Sequence, residues 1–248
     1  MCLVLTPIYA LRPLATAVLT GGNRAAVARS GARTFSALCR VLGPVLGVRV
    51  EVEGDAPPPG PCVLCPNHVS YLDVLVLASV ADAVFVSRGD VAGWPGIGPL
   101  ARLGGTVFID RARKRDAARA ADEVGVALDR RLRAVMFLEG RATVGDAVLA
   151  FRSSLLEPAC ARPGVPCVAA TLRYDLPDDP GSTVAGTVAW ADETPFAEHV
   201  MRVLRLRTIA VRVTFHAPRT GTDRKALAAA LEADCRRGLS ATGRSPAS

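Results

Sequence analysis

The sequence predicts an α/β protein: a mixed, largely parallel sheet flanked by helices, with an N-terminal membrane-associated helical segment. Three observations carry that expectation. Short apolar runs such as "CVLCP" (62–66), "AVFVS" (83–87) and "TVFID" (106–110) alternate with stretches of helical character, the pattern of strands joined by crossover helices. The later runs, "STVAGTVAW" (182–190) and "RTIAVRVTFHA" (207–217), have less helix between them, which makes the sheet mixed. The first 20 residues are almost wholly apolar and are followed by Arg24, Arg29 and Arg33.

Taken in order, the N-terminal run "MCLVLTPIYALRPLATAVLT" contains Pro7, Arg12 and Pro13. A spanning helix needs about 20 apolar residues with few breaks. A signal peptide carries its positive charge ahead of its apolar core. The expectation is a segment in or on the membrane, then a basic amphipathic helix over about 24–46. A helical lid packed on the protein's own core and a single span remain as alternatives. The turn-rich "GDAPPPGP" (54–61) breaks the pattern. After "CVLCP", "SYLDVLVLASV" (70–80) reads as a helix and "AVFVS" as a strand. "WPGIGPLARLG" (94–104) is a Gly/Pro-rich loop with a short helix, and "TVFID" a strand. An Ala/Arg-rich helix follows over about 113–132, then the strand "AVMFLE" (134–139). Helix near 152–161, the strand "PCVAATLRY" (166–174), the two later strands and a helix near 223–238 complete the series. The predicted organisation is a membrane-associated segment over 1–46, one domain over 47–240 and a disordered tail over 241–248.

The chain has a formal net charge of +7, and hydrophobic residues make up 50% of it. A basic surface suits anionic partners such as membrane lipid, a phosphorylated metabolite or an acidic carrier protein. The basic and aromatic strand signature of RNA binders is absent, which argues against nucleic acid. Seven cysteines, an odd number in mostly aliphatic surroundings, read as reduced thiols in a cytosolic setting. Cys62 and Cys65 form a lone CxxC without a second pair, so neither a metal nor a cofactor is expected.

Ligand sites of such sheets lie beyond the carboxyl ends of the strands, and three polar clusters fall there. In "CPNHVSYLD" (65–73), His68 follows a strand and Asp73 sits near the first turn of the next helix. An aspartate so placed can accept from one ring nitrogen and leave the other free as a general base. Ser70-x-x-Asp73 is equally a capping box, in which the acid only satisfies backbone N–H groups. In "GGTVFIDR" (104–111), Arg111 emerges at a strand end, where a guanidinium can hold a phosphate bidentately. In "FLEGRAT" (137–143), Glu139 can meet a substrate hydroxyl or a nearby arginine, and Gly140 allows close approach of backbone to ligand.

In order and spacing these stretches resemble the PlsC-like glycerolipid acyltransferases. The family's NHxxxxD motif matches Asn67, His68 and Asp73. Its G-x-x-F-I-x-R stretch matches Gly105, Phe108, Ile109 and Arg111. Its F-P-E-G stretch matches Phe137, Glu139 and Gly140, with Leu138 in place of the proline and Arg141 one residue early for the usual arginine; its V-P stretch matches Val165 and Pro166. The resemblance implies acyl transfer from acyl-CoA or acyl-carrier protein to a lysolipid hydroxyl, with 1-acylglycerol-3-phosphate as acceptor. It implies His68 and Asp73 as catalytic residues. Asn67, Phe108, Arg111, Glu139, Gly140, Arg141 and Arg152 are the implied substrate contacts. "EGRATVGDAVLAFRSSLLEPA" and "DRKALAAAL" look closer to the lyso-ornithine lipid O-acyltransferase branch, which leaves that acceptor as the alternative. The implied location is the cytoplasmic face of the cell membrane, peripheral or monotopic.

Overall fold

The computed structural model describes residues 13, 15–94, 97–109 and 114–241. Most of the apolar N-terminal run, Arg111 and all but the first residue of the predicted tail lie outside the described residues. Helix α1 (Arg24–Val45) begins at Asn23, whose side chain accepts from the N–H groups of Ala25 and Ala26, a standard way of satisfying a helix start. The chain then runs β1 (Val48–Glu53), β2 (Val63–Pro66), α2 (Leu72–Val80), β3 (Ala83–Arg88), α3 (Ile97–Leu103) and β4 (Val107–Ile109). It continues through α4 (Lys114–Asp129), β5 (Arg133–Val135), α5 (Glu157–Cys160), β6 (Cys167–Asp175), α6 (Phe196–Val203), β7 (Ile209–Phe215) and α7 (Arg224–Ser240).

Seven strands form one sheet in the order β1-β7-β6-β2-β5-β3-β4. Neighbours are parallel except β6 and β7, which are antiparallel. One face packs Phe35, Leu72, Val76 and Val203, from α1, α2 and α6, over Leu64, Val135 and Leu172. The other packs Val124, Leu128, Leu227 and Leu231, from α4 and α7, over Val63, Ala134 and Ala169. Covering both faces explains why β2 is buried along its whole length and reads as an unbroken apolar run.

Helix α1 is part of this packing. Phe35, Leu38 and Cys39 are buried, and Ser36 donates to the Ala78 carbonyl at 2.6 Å. Val41 and Val45 on the same helix stay exposed. Among the described residues no helix is long and apolar enough to cross a membrane.

Two expectations need correction, and two elements were missed. The run 182–190 is not a strand: Val184–Val188 forms a π-helical turn. Thr183 accepts from the Gly186 N–H at 3.1 Å, and Ala189 N–H bonds the Val184 carbonyl at 2.8 Å, so the segment satisfies its backbone locally. The strand expected over 134–139 ends at Val135. The edge strand β1 and the helix α6 were not anticipated.

Candidate active site

The site starts where β2 leaves the sheet. Pro66 is the last residue of β2 and pairs with Ala170 of β6. Asn67 N–H still bonds the Ala170 carbonyl at 3.2 Å. The Asn67 side chain then takes over the ladder: its Nδ2 donates to the Leu172 carbonyl at 3.1 Å and its Oδ1 accepts from the Leu172 N–H at 2.7 Å. The amide thus replaces one peptide unit, and the backbone can turn out of the sheet without orphaning β6. Asn67 is fully buried and presents no face to a ligand.

His68 comes next, at the carboxyl end of a central strand. Its Nδ1 lies 2.7 Å from Asp73 Oδ2, while its side chain keeps 20% exposure against 0% for Asp73. The same Oδ2 accepts the N–H groups of Val69 at 2.7 Å and Ser70 at 3.1 Å. Oδ1 accepts the Tyr174 hydroxyl at 2.5 Å. Two backbone N–H groups and a phenol already donate to this carboxylate, and an acceptor-only carboxylate assigns the histidine proton to Nδ1. The Nε2 lone pair is then the free one. Burial and the Asp73 charge hold the Tyr174 phenol well above its ordinary range, which keeps it a donor. Phe137 stacks on the imidazole at 4.1 Å between ring centres, fixing the ring plane from the side. The capping reading is half realised, because the carboxylate reaches back to Ser70 N–H while the buried Ser70 hydroxyl has no partner.

Glu139 is 3% exposed and spends both oxygens on backbone. Oε1 accepts from His68 N–H at 2.8 Å and Oε2 from Leu149 N–H at 2.7 Å. Burial raises its pKa, with those two hydrogen bonds opposing the shift. It is a clamp between the histidine loop and the loop before Arg152. Thr143 N–H adds a bond to the His68 carbonyl at 2.8 Å. Gly140 has φ +78°, and a Cβ there would lie 2.7 Å from the Arg152 guanidinium carbon. Arg152 is exposed and packs over that glycine; its side chain and that of the exposed Arg141 have no hydrogen-bond or ion-pair partner among the described residues. Phe108 is not brought close: β4 lies three strands beyond β2, about 14 Å at the usual strand spacing, and Arg102 sits over its ring. Arg111 lies outside the described residues. Tyr174 is the site residue that sequence reasoning did not single out, and Phe137, matched to the motif, was given no role there. Among the described residues no group of three His, Cys, Asp or Glu side chains is placed to hold a metal ion.

Residues 48–173 match the family model described as Acyltransferase. The chain is 35% identical over 186 residues to the lyso-ornithine lipid O-acyltransferase of Rhizobium meliloti (strain 1021), covering 71% of this chain and 63% of that protein. It is 36% identical over 214 residues to the enzyme of that name from Rhodobacter capsulatus, covering 82% and 74%. The 1-acyl-sn-glycerol-3-phosphate acyltransferase of Neisseria meningitidis is 29% identical over 171 residues, covering 68% and 65%. The crystal structure of the 1-acyl-sn-glycerophosphate (LPA) acyltransferase PlsC from Thermotoga maritima superposes with a TM-score of 0.65 at 17% identity, covering 96% of both chains; that likeness establishes the shared fold. With the family model spanning half of its residues and 36% identity over 82% of its length to one relative, this chain belongs to the acyltransferase family.

Proposed function

We propose that the protein moves an acyl group from a thioester, acyl-CoA or acyl-carrier protein, to the free hydroxyl of a lysolipid. The observation that carries this reading is the His68–Asp73 contact at 2.7 Å, with the ring still partly open to solvent. His68 Nε2 takes the hydroxyl proton as that oxygen bonds to the thioester carbonyl. The carbon–sulfur bond then breaks, and the imidazolium returns the proton to the leaving thiolate. Asp73 holds the tautomer and supports the transient positive charge. Asn67 and Glu139 act by positioning the turn that carries His68. Arg152 over Gly140, and Arg141 nearby, offer cationic contacts to the acceptor head. Arg111 and Phe108 keep their assignment to the acceptor on the motif alone. The names of the relatives supply two acceptor classes, 1-acylglycerol-3-phosphate and lyso-ornithine lipid.

The reading entails a lipid substrate and includes a peripheral or monotopic place on the cytoplasmic face of the membrane. Residues 1–46 supply the contact and 47–240 the catalytic unit. Val18 and Leu19 are exposed. Leu19 borders a cavity that Arg29 and Arg33 also line, so apolar and cationic groups share one surface, as an anionic leaflet favours.

The test is product analysis with a labelled acyl thioester and a panel of lysolipids. Diacylated lipid that forms only when a lysolipid is present is the expected result. Free fatty acid released at the same rate without any lysolipid contradicts the reading and makes the protein a thioesterase.

A further inference from the structure

We infer that a cavity beside the His68–Asp73 pair recognises a zwitterionic head group on the acceptor, one carrying both an ammonium and a carboxylate. The inference rests on the acyltransferase reading and narrows its substrate class.

The cavity follows from strand lengths. β2 pairs with β6 from Val63–Cys167 to Pro66–Ala170, and the Asn67 amide closes the ladder at Leu172. β6 continues to Asp175, so its last residues have no strand beside them on that side. A void of about 350 Å³ lies there, bordered by Val69, Tyr174, Val184 and Leu239. It is one residue removed from the dyad: His68 and Asp73 do not line it, but Val69 and Tyr174 do, and the Val69 N–H and the Tyr174 hydroxyl both bond Asp73.

Two opposite charges line the same void, Asp146 from the loop after Gly145 and Arg173 from β6. Among the described residues neither has an oppositely charged partner, and they do not bridge each other; Arg173 donates to the Ala241 carbonyl. The neighbouring cation is treated differently. Arg212, opposite Arg173 in the β6–β7 register, is matched by Glu51 and Glu53. Asp146 is exposed and Arg173 half-buried, so both charges stand open to water and to a ligand that carries the opposite charges.

A phosphate monoester would satisfy Arg173 and meet Asp146 as a like charge, which selects against it. A head group with a carboxylate and an ammonium satisfies both: the carboxylate accepts from the guanidinium and the ammonium pairs with Asp146. Lyso-ornithine lipid has that chemistry, with a free α-carboxylate and a side-chain ammonium.

The test compares kcat and KM for lyso-ornithine lipid and 1-acylglycerol-3-phosphate, using the purified full chain and a labelled acyl-CoA. Asp146→Asn is nearly isosteric and breaks no hydrogen bond among the described residues. It is expected to raise KM for lyso-ornithine lipid at least fivefold and to lower KM for the phosphate acceptor. Arg173→Gln is expected to raise KM for both. An Asp146→Asn enzyme whose two acceptor KM values stay within twofold of the parent, or rise together, overturns the inference. Calorimetric binding of N-octanoyl-ornithine to the same proteins judges the cavity without turnover. Fivefold weaker binding to Asp146→Asn supports it, and equal binding to parent and variant sinks it. If the parent acylates neither lipid, the reaction reading fails while calorimetry still decides the head-group site.

Discussion

Asp73 is a carboxylate removed from water, and its place in the fold depends on donors that replace the lost hydration. Two backbone N–H groups, an imidazole and a phenol do so. Removing one donor leaves a buried charged oxygen short of a partner, at about 1–3 kcal/mol. Tyr174→Phe should therefore lower unfolding free energy by about that amount, read as a shift in the urea midpoint; an unchanged midpoint would show that the phenol contributes nothing to the carboxylate. The His68–Asp73 pair was legible in the sequence because a histidine just past a strand and an acid in the next helical turn can converge, although the spacing fits a capping box equally well. The capping alternative was not wrong physics, since the carboxylate does reach back to Ser70 N–H. What the spacing could not show is that the same oxygen serves both purposes. Tyr174 was hidden because it arrives from 101 residues away, near the end of a strand that is buried over its first six residues and whose pattern does not point at Asp73. Asn67 and Glu139 stood out as motif residues, but their partners are the backbone of Leu172 and Leu149, and no side-chain pattern announces a backbone partner.

At the scale of elements, the strands between 62 and 110 and the helices at 24–45 and 224–240 followed the sequence closely, because apolar period and caps agree there. The run 182–190 misled because Val and Thr favour strands in general, while Thr183 and Gly186 offered the backbone a local bond instead. β1 carries an alternating "VRVEVE" pattern but was passed over beside the Gly/Pro-rich break that follows it. Helix α1 crosses α3 closely at Gly31, where a Cβ would lie 2.6 Å from the Leu103 carbonyl oxygen. An alanine there gains about 1 kcal/mol in helix propensity, but it meets backbone that moves only with α3. Overpacking of this kind costs about 1–3 kcal/mol, so Gly31→Ala should lower Tm in a thermal melt. A higher Tm would mean that the two helices do not meet at this position.

The molecule as a whole places a basic, partly apolar helical layer on one side of the sheet and the reactive histidine at the carboxyl end of a central strand. Its stability should depend on pH through His199, which is fully buried. His199 Nε2 lies 3.0 Å from the Ala189 carbonyl and Nδ1 lies 3.2 Å from the Tyr71 hydroxyl. The neutral ring fits both, donating from Nε2 and accepting at Nδ1. Burial lowers its pKa below the ordinary value. The unfolded chain therefore binds a proton first as pH falls below about 6.5, and the contribution of the neutral ring is present above that value and lost below it. His199→Gln should flatten the fall in unfolding free energy between about pH 7 and 5; an identical slope in parent and variant would remove His199 as the cause. The central claim is that the imidazole of His68 takes the acceptor's proton. The most direct measurement is the rate of acyl transfer to lysolipid by His68→Ala, beside its urea midpoint. The account predicts a rate lower by about 10²–10⁴-fold with folding retained, because the His68–Glu139 and His68–Thr143 backbone bonds survive the substitution. Undiminished transfer by a folded His68→Ala protein would contradict it.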